Sequence, residues 1–232
     1  QRLRIETDNE RTKRIFYPAM YHAMMAPALF SDVDGHYRGA DGNIYQSDTP
    51  HYTNFSLWDT YRAKQPLMTL IQAERAACFV NSMLDICDQQ GRLPVWHLWG
   101  NETNCMVGDP AIPVVADAIV KGIEGVDHER AFEAIKKTAA TPERGKGLRH
   151  QYGYIPCNLM NEAVAYDMEY ALADGAAAEA ARALGREEDQ EQFTRMSHSY
   201  RTYFDKQSGF IRGFDDKGEF RTPFNPNYAS HR

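Results

Sequence analysis

Apolar residues recur at helical spacing along most of this chain, and strict alternation of apolar and polar residues is almost absent. An apolar stripe that repeats every three or four residues predicts an amphipathic helix. By this criterion we predict seven helices, over residues 10–29, 57–71, 74–89, 110–122, 129–139, 162–184 and 187–204. Long helices joined by loops, with few strands, predict an all-α domain built by helix-on-helix packing.

Loops interrupt the helical pattern where glycine, proline and aspartate concentrate. Residues 31–55 are rich in Asp, Gly and Tyr, and a loop of this length inside a domain is usually functional. Pro27 lies near the end of the first predicted helix, where a proline either costs little or ends the helix. Residues 206–222 predict turns, with room for a short hairpin. The alanine-rich stretch 171–183 suits close helix packing, and high helix propensity explains it as well.

Composition and charge narrow the classes of protein to consider. The 232 residues are 43% hydrophobic and 25% charged, which is ordinary for one soluble domain or part of one. The net charge of −6 gives no reason to expect nucleic acid or an anionic membrane as partner. No run of about 18 apolar residues occurs, so we predict no membrane span.

The four cysteines predict neither a zinc site nor a disulfide framework. No Cys-x-x-Cys pair is present, and no cysteine lies near histidine at zinc spacing. Cys78 and Cys87 are nine residues apart on one predicted helix and therefore point in different directions. We predict free thiols at Cys78, Cys87, Cys105 and Cys157.

Glu102 is the strongest candidate for chemistry in the chain. It lies in Gly100-Asn-Glu-Thr, shortly after Trp96 and Trp99. Flat aromatic rings beside a carboxyl group that can carry a proton are typical of a site that cleaves sugars, where an acid protonates the glycosidic oxygen. The alternative is a structural glutamate in a polar turn, with both tryptophans in the core.

Trp58-Asp59 is a second candidate, at the start of a predicted helix after a polar loop. An aspartate there can cap the helix or bind sugar hydroxyls, and the tryptophan can belong to the core. Arg62 follows one turn later, where it could hold Asp59 in place. Trp96 is equally suited to stacking on a sugar and to packing.

An acidic loop invites comparison with a calcium site. Asp32 and Asp34, followed by Asp41-Gly42, resemble the opening of an EF-hand loop. Tyr37-Arg38 and the missing terminal glutamate break that pattern, so we favour an acidic turn that shapes the loop over a metal site.

Taken together, seven segments in a fixed order resemble glycoside hydrolase family 92. They are residues 31–42 (SDVDGHYRGADG), 53–62 (TNFSLWDTYR), 93–96 (LPVW), 100–104 (GNETN), 153–156 (GYIP), 183–185 (ALG) and 223–226 (PFNP). The resemblance implies a calcium-dependent, inverting exo-α-mannosidase with an (α/α)6 toroid. It also implies that residues 1–232 form one partial catalytic domain, the N-terminal half of the toroid, without the family's β-sandwich domain.

The resemblance assigns roles to particular residues. Glu102 corresponds to the general acid, and the pocket for terminal mannose is expected to include Trp58, Asp59, Trp96 and Asn101. The general base belongs to a Gly-Asn-Asp-type motif that these 232 residues lack. The Ca2+ ligands are expected mainly outside this chain, so no metal ligand is assigned within it.

The resemblance also implies partners and a location. The substrate is a mannose-containing glycan, and the chain is expected to need the missing half of the domain or a partner chain. The family implies a secreted, periplasmic or cell-surface protein. The alternatives are a non-catalytic carbohydrate-binding relative, a polysaccharide lyase, or another glycosidase on the same toroid.

Several positions depart from the family pattern and leave the linkage preference open. Gly108-Asp109-Pro110 stands where members often have Gly-Tyr-His, and His97 and Trp99 replace smaller or different residues. These positions are expected near the leaving-group side. His150-Gln151 is a further place where linkage preference could be set.

Overall fold

The computed structural model describes residues 3–228, and helices dominate them. Nine α-helices occur in this part of the chain: α1 Glu10–Ala23, α2 Leu57–Thr60, α3 Lys64–Ile71, α4 Ala73–Gln90, α5 Ala111–Val120, α6 His128–Ala140, α7 Lys146–Tyr152, α8 Ala163–Ala183 and α9 Glu187–Met196. A 3-10 helix at Ser199–Tyr203 follows α9. The predicted helical fold class is confirmed.

Four two-stranded antiparallel sheets accompany the helices within residues 3–228. They pair β1 Ala28–Leu29 with β4 Tyr52–Thr53, β2 His36–Arg38 with β3 Ile44–Gln46, β5 His97–Leu98 with β6 Asn101–Glu102, and β7 Phe204–Asp205 with β8 Phe210–Ile211. The predicted loop 31–55 therefore contains a hairpin. Strands of two or three residues are too short to produce an alternating pattern, which is why periodicity did not predict them. The short hairpin allowed for in residues 206–222 corresponds to the antiparallel bridge between Phe214 and Phe220.

Three predicted helix boundaries were wrong. The first helix ends at Ala23, before Pro27, and Ala28–Leu29 form a strand instead. The predicted helix 57–71 is two helices, because Ala63 between them has φ −137°, outside the helical range. The predicted helix 187–204 ends at Met196 and continues as a 3-10 turn. The short α7, between left-handed Gly145 and Gly153, was missed.

The core forms around α8, which packs against α5, α6, α9 and the 3-10 helix. Its buried face consists largely of alanines, including Ala173, Ala177 and Ala181. Small side chains let neighbouring helices approach closely, and the larger residues of α5 pack beside them in the same hydrophobic cluster. The close packing predicted from the alanine-rich stretch is therefore present.

A buried arginine joins α7 to α8 through two carboxylates. Arg149 Nε donates to Asp167 Oδ1 at 2.6 Å, and Arg149 Nη1 lies 2.6 Å from Asp174 Oδ2. Burial raises the pKa of Asp174 to about 6, and the adjacent guanidinium opposes that rise. Tyr203, at the end of the 3-10 helix, places its hydroxyl 2.7 Å from Asp167 Oδ2. One buried network thus fixes three segments.

A second buried pair lies at the other end of α7. Lys146 Nζ is 2.6 Å from Asp109 Oδ2 and also donates to the carbonyl oxygen of Thr138 at 2.6 Å. Both charged side chains are 3% exposed. The pair joins α7 to Asp109, two residues before the start of α5.

All four cysteines are free thiols, as predicted. Within residues 3–228, no helix has the length and apolar character needed to cross a bilayer.

We expect Lys146→Met to lower the free energy of unfolding by about 3–5 kcal/mol, because Asp109 would remain buried without a cation. Urea unfolding would measure the change. Lys13→Met is the matched control: Lys13 pairs with Glu10 at 2.8 Å on the surface, and its loss should cost less than about 1 kcal/mol. Equal effects of the two substitutions would contradict this prediction.

Candidate active site

Glu102 lies on a tight β-hairpin formed by β5 and β6. Leu98 pairs with Asn101 and His97 pairs with Glu102, so Trp99 and Gly100 form a two-residue turn. Both turn residues have positive φ, 49° at Trp99 and 78° at Gly100. Positive φ at both central residues is what a type I′ turn requires. The hairpin therefore fixes where the Glu102 backbone lies.

Three backbone N–H groups hold the carboxylate of Glu102. Val95 N–H donates to Oε2 at 2.7 Å, while the N–H groups of Trp96 and Asn104 donate to Oε1 at 3.0 and 2.8 Å. The donors come from both sides of the hairpin, and the side chain is half-buried. Oε2 accepts one of these hydrogen bonds and Oε1 accepts the other two.

Residues 53–55 tie the hairpin to the segment that leads into α2. Phe55 N–H donates to the carbonyl oxygen of His97 at 3.0 Å, and Trp99 N–H donates to Asn54 Oδ1 at 3.2 Å. The structure thus brings the two segments singled out in the sequence next to each other. No hydrogen bond joins Asp59 to Glu102 in the described residues.

Trp58 and Asp59 occupy the first turn of α2. Trp58 is half-buried against the main core, and its indole Nε1 is buried without a hydrogen-bond partner among residues 3–228. Asp59 is exposed and accepts a hydrogen bond from Ser56 Oγ at 2.5 Å. Ser56 is the N-cap residue of α2, so Asp59 is not the cap.

Arg62 does not hold Asp59, contrary to the suggestion from sequence. Arg62 Nη2 donates to Glu169 Oε1 on α8 at 2.5 Å, and Nη1 donates to the carbonyl oxygen of Trp58 at 3.1 Å. Tyr61 donates its hydroxyl to the other carboxylate oxygen of Glu169 at 2.8 Å. Sequence reasoning missed Glu169, because the residues it contacts lie more than 100 positions away.

Glu169 also contacts the loop that follows Glu102. A Cβ atom on Gly108 would lie 2.5 Å from Cβ of Glu169, so the backbone at this position admits no side chain. Gly108 has φ 76°, a conformation that favours glycine. The sequence shows Gly108 but does not show that Glu169 packs against it.

Two arginines that the sequence did not suggest hold the loop 104–108. Arg144 donates to the carbonyl oxygens of Asn104 at 2.9 Å, Met106 at 2.6 Å and Gly108 at 3.2 Å. Arg92, which is buried, donates to Oδ1 of Asn104. These contacts fix the backbone whose Asn104 N–H binds Glu102.

Asn101 and Trp96 also belong to the hairpin region. Asn101 is exposed, donates through Nδ2 to the Trp99 carbonyl oxygen at 3.2 Å, and accepts from Arg38 Nη1 at 3.3 Å. Trp96 is half-buried, and its carbonyl oxygen accepts from Thr103 Oγ1 at 2.8 Å. Asn101, Trp96 and Glu102 are therefore local neighbours.

The acidic loop shapes its own turns. Asp34 accepts from the His36 N–H at 3.1 Å, and this hydrogen bond lowers the pKa of Asp34. Asp41 accepts from the N–H of Asn43 at 3.0 Å and from the hydroxyl of Tyr45 at 2.8 Å. In the described part of the chain, no group of three or more His, Cys, Asp or Glu side chains could hold a metal ion.

Two of the positions that depart from the family pattern, His97 and Asp109, have buried side chains in this structure. His97 is 1% exposed, with Nδ1 3.3 Å from Thr53 Oγ1, and Asp109 is paired with Lys146. Trp99, in contrast, is 57% exposed. His150 lines a cavity of about 550 Å³ together with Phe193 and Met196, away from the hairpin residues.

Comparison with known proteins gives matches along the whole chain. The catalytic-domain profile of glycosyl hydrolase family 92 matches residues 1–232. An "Uncharacterized secreted glycosidase" of Arthroderma benhamiae is 25% identical over 221 residues, which are 88% of this chain and 24% of that protein.

Solved structures give closer matches. A family GH92 alpha-mannosidase of Bacteroides thetaiotaomicron, solved in complex with mannoimidazole, is 44% identical with a TM-score of 0.90, over 93% of this chain and 29% of that one. An inverting family GH92 mannosidase of the same bacterium is 30% identical with a TM-score of 0.88, over 97% of this chain and 32% of that one. The chain thus spans between about a quarter and a third of these relatives, as expected for part of a catalytic domain.

The buried imidazole of His97 predicts a loss of stability in acid. Burial lowers its pKa from 6.5 to about 4, so between these pH values the unfolded chain binds a proton that the folded chain does not. The contribution of His97 to the free energy of unfolding should therefore fall as the pH drops from about 6.5 to about 4, by up to about 3 kcal/mol. Asp174, whose pKa burial raises to about 6, binds a proton in the folded state within the same range and contributes in the opposite sense. Urea unfolding of the wild type and of a His97 variant across this pH range therefore measures the His97 contribution as the difference between the two slopes.

Relative to the wild type, His97→Asn should gain stability as the pH drops from about 6.5 to about 4, and the same change at the exposed His22 should produce no such relative gain. An identical pH dependence in the wild type and in His97→Asn would show that His97 does not carry this effect.

Proposed function

This chain belongs to glycosyl hydrolase family 92, and we propose that the protein carrying it is an exo-α-mannosidase that removes terminal α-linked mannose from glycans with inversion. The observation that carries the proposal is the Glu102 carboxyl group, held by three backbone N–H groups on a rigid hairpin. The similarity to solved mannosidases supports the choice of sugar.

Inverting hydrolysis needs two carboxyl groups on opposite faces of the sugar, roughly 6.5–9.5 Å apart. In this proposal Glu102 donates its proton to the glycosidic oxygen as the bond to the anomeric carbon breaks. A water molecule attacks that carbon from the opposite face and gives its proton to the second carboxylate. The base would come from a Gly-Asn-Asp-type motif, which these 232 residues do not contain.

The fixed orientation of Glu102 is what this chain contributes to the chemistry. A carboxyl group held by main-chain donors does not need to reorganise when the substrate arrives, and this lowers the barrier. Because the Asn104 N–H is one of the three donors, the arginines that hold loop 104–108 act through Glu102 on the reaction.

We propose that four further residues bind the terminal mannose. Asp59 offers an exposed carboxylate that can accept from two sugar hydroxyls, and Trp58 offers a buried indole N–H without a partner among residues 3–228. Asn101 offers an exposed amide, and Trp96 offers a half-buried ring. Arg62, paired with Glu169 of α8, would hold the backbone of Trp58 in place.

Calcium remains part of the proposal through the family resemblance alone. The described residues include no cluster of His, Cys, Asp or Glu that fits a metal ion, and the acidic loop uses its carboxylates for its own turns. The Ca2+ ligands would therefore come from elsewhere in the catalytic domain, and no step is assigned to the ion here.

Two further proposals concern the surroundings of the chain. The similarity to a secreted glycosidase supports a location outside the cytoplasm for this protein, which would be secreted, periplasmic or on the cell surface. The second half of the toroid, in the same chain or in a partner chain, would supply the base and complete the pocket.

We expect Glu102→Gln to lower kcat/KM for α-mannobiosides by about 10²–10⁴-fold, because the amide cannot donate a proton to the leaving group. Mannose release by the protein that carries residues 1–232, in added calcium and then in chelator, measures the effect. With a dinitrophenyl α-mannoside, whose leaving group needs no proton, the variant should lose much less activity.

The NH2 group of the amide replaces either Oε2, which leaves the Val95 N–H without an acceptor, or Oε1, which leaves the N–H groups of Trp96 and Asn104 without one. Each unsatisfied N–H costs about 1–3 kcal/mol. Thermal unfolding of the variant therefore serves as the control. An equal loss on both substrates, in a folded variant, would remove Glu102 from the role of acid. A folded wild-type protein that releases no mannose would be a non-catalytic carbohydrate-binding relative.

A further inference from the structure

Trp99 combines high exposure with an unfavourable backbone conformation. Its side chain is 57% exposed and lies outside both hydrophobic clusters of the described residues. Its φ of 49° is in the left-handed region, which large side chains rarely adopt. At the first central position of a type I′ turn, asparagine, aspartate and glycine are strongly preferred.

The turn would fold more readily without this tryptophan. The next residue is already Gly100, so asparagine at position 99 would produce Asn-Gly, the most favourable pair for this turn. Residues held in sparsely populated conformations concentrate at functional sites, where the surrounding structure keeps them in place. Neither core packing nor the turn conformation explains a tryptophan at position 99, so we looked for a role in binding.

The surrounding residues hold the tip of the hairpin rigidly. The Trp99 N–H is bound by Asn54 and its carbonyl oxygen by Asn101, each at 3.2 Å. Gly100 packs so closely on Phe30 that a Cβ atom there would lie 3.0 Å from the phenyl ring. The indole is therefore presented from a fixed backbone, which lowers the entropic cost of binding a ligand to it.

The same hairpin carries Glu102, three residues after Trp99. At about 3.3 Å per residue, the two Cα atoms lie within about 10 Å of each other. The Glu102 carboxylate is directed to the base of the hairpin by Val95 and Trp96, while Trp99 lies at its tip. An acid protonates the oxygen that joins the terminal mannose to the rest of the glycan, so groups beside it are placed to contact the leaving group.

We propose that the Trp99 ring is a stacking platform for the leaving-group sugar, the residue to which the terminal mannose is attached. The inference rests on the proposed function and extends it from the reaction to the recognition of the glycan beyond the cleaved bond. Pyranose rings present apolar C–H faces that pack on an exposed aromatic ring, and tryptophan offers the largest such surface.

The test compares two substrates that differ only in the leaving group. In an α-mannobioside the leaving group is a sugar, whereas in α-mannosyl fluoride it is a single fluoride ion. In the protein that carries residues 1–232, Trp99→Asn should lower the ratio of kcat/KM for the mannobioside to kcat/KM for the fluoride, on the order of 10-fold. Trp99→Phe, which keeps a ring, should retain most of the ratio.

Stability distinguishes this role from a structural one. Because Asn-Gly suits the turn, Trp99→Asn should keep or raise the unfolding temperature while the substrate ratio falls. Tyr21→Asn is the matched control, since Tyr21 is an exposed aromatic residue of α1, 67% exposed, and should leave the ratio unchanged.

An unchanged ratio in Trp99→Asn would overturn the inference. If the unfolding temperature also fell, the ring would instead pack against another part of the protein. If the wild-type protein hydrolyses neither substrate, the result contradicts the proposed function rather than this inference. Calorimetry with mannobiose would then decide this inference: affinity about 10-fold weaker in Trp99→Asn supports it, and equal affinity or no binding refutes it.

Discussion

Buried carboxylates along α8 determine where the surrounding segments can lie. Asp167 and Asp174 are almost fully buried, and a buried charge is tolerated when a cation and further hydrogen bonds compensate it. Arg149 is the cation beside both carboxylates, so α7 must stay against α8. The alanines of the same helix make this possible, because they let neighbouring backbones come close enough for short side chains to reach.

The candidate site inherits its geometry from the same helix. Glu169 extends from α8 to Arg62 and Tyr61 on one side and lies against Gly108 on the other. The segment with Trp58 and Asp59 and the loop after Glu102 therefore meet at one carboxylate. Neither segment is part of an extended sheet, so ion pairs and main-chain hydrogen bonds fix the positions of both.

The sequence predicted α4, α5, α6 and α8 to within two residues at each end, because each has a continuous apolar stripe and few competing signals. It also singled out Glu102, from neighbouring residue types and a family resemblance. The sequence could not predict the hairpin, because its strands have only two residues each. It also could not predict the hydrogen bonds to Glu102, because their donors are main-chain N–H groups, which every residue type except proline has. The Arg62–Glu169 contact joins residues 107 positions apart, beyond any local periodicity.

The three hydrogen bonds to Glu102 have an evolutionary consequence. Its carboxylate closes the polypeptide between Val95 and Asn104 much as a cross-link would, independently of any reaction. A descendant that abandoned catalysis would still be under selection to keep this glutamate, since losing it would leave three main-chain N–H groups without their acceptor. Retention of the residue in such lineages would record a requirement of folding as much as one of chemistry.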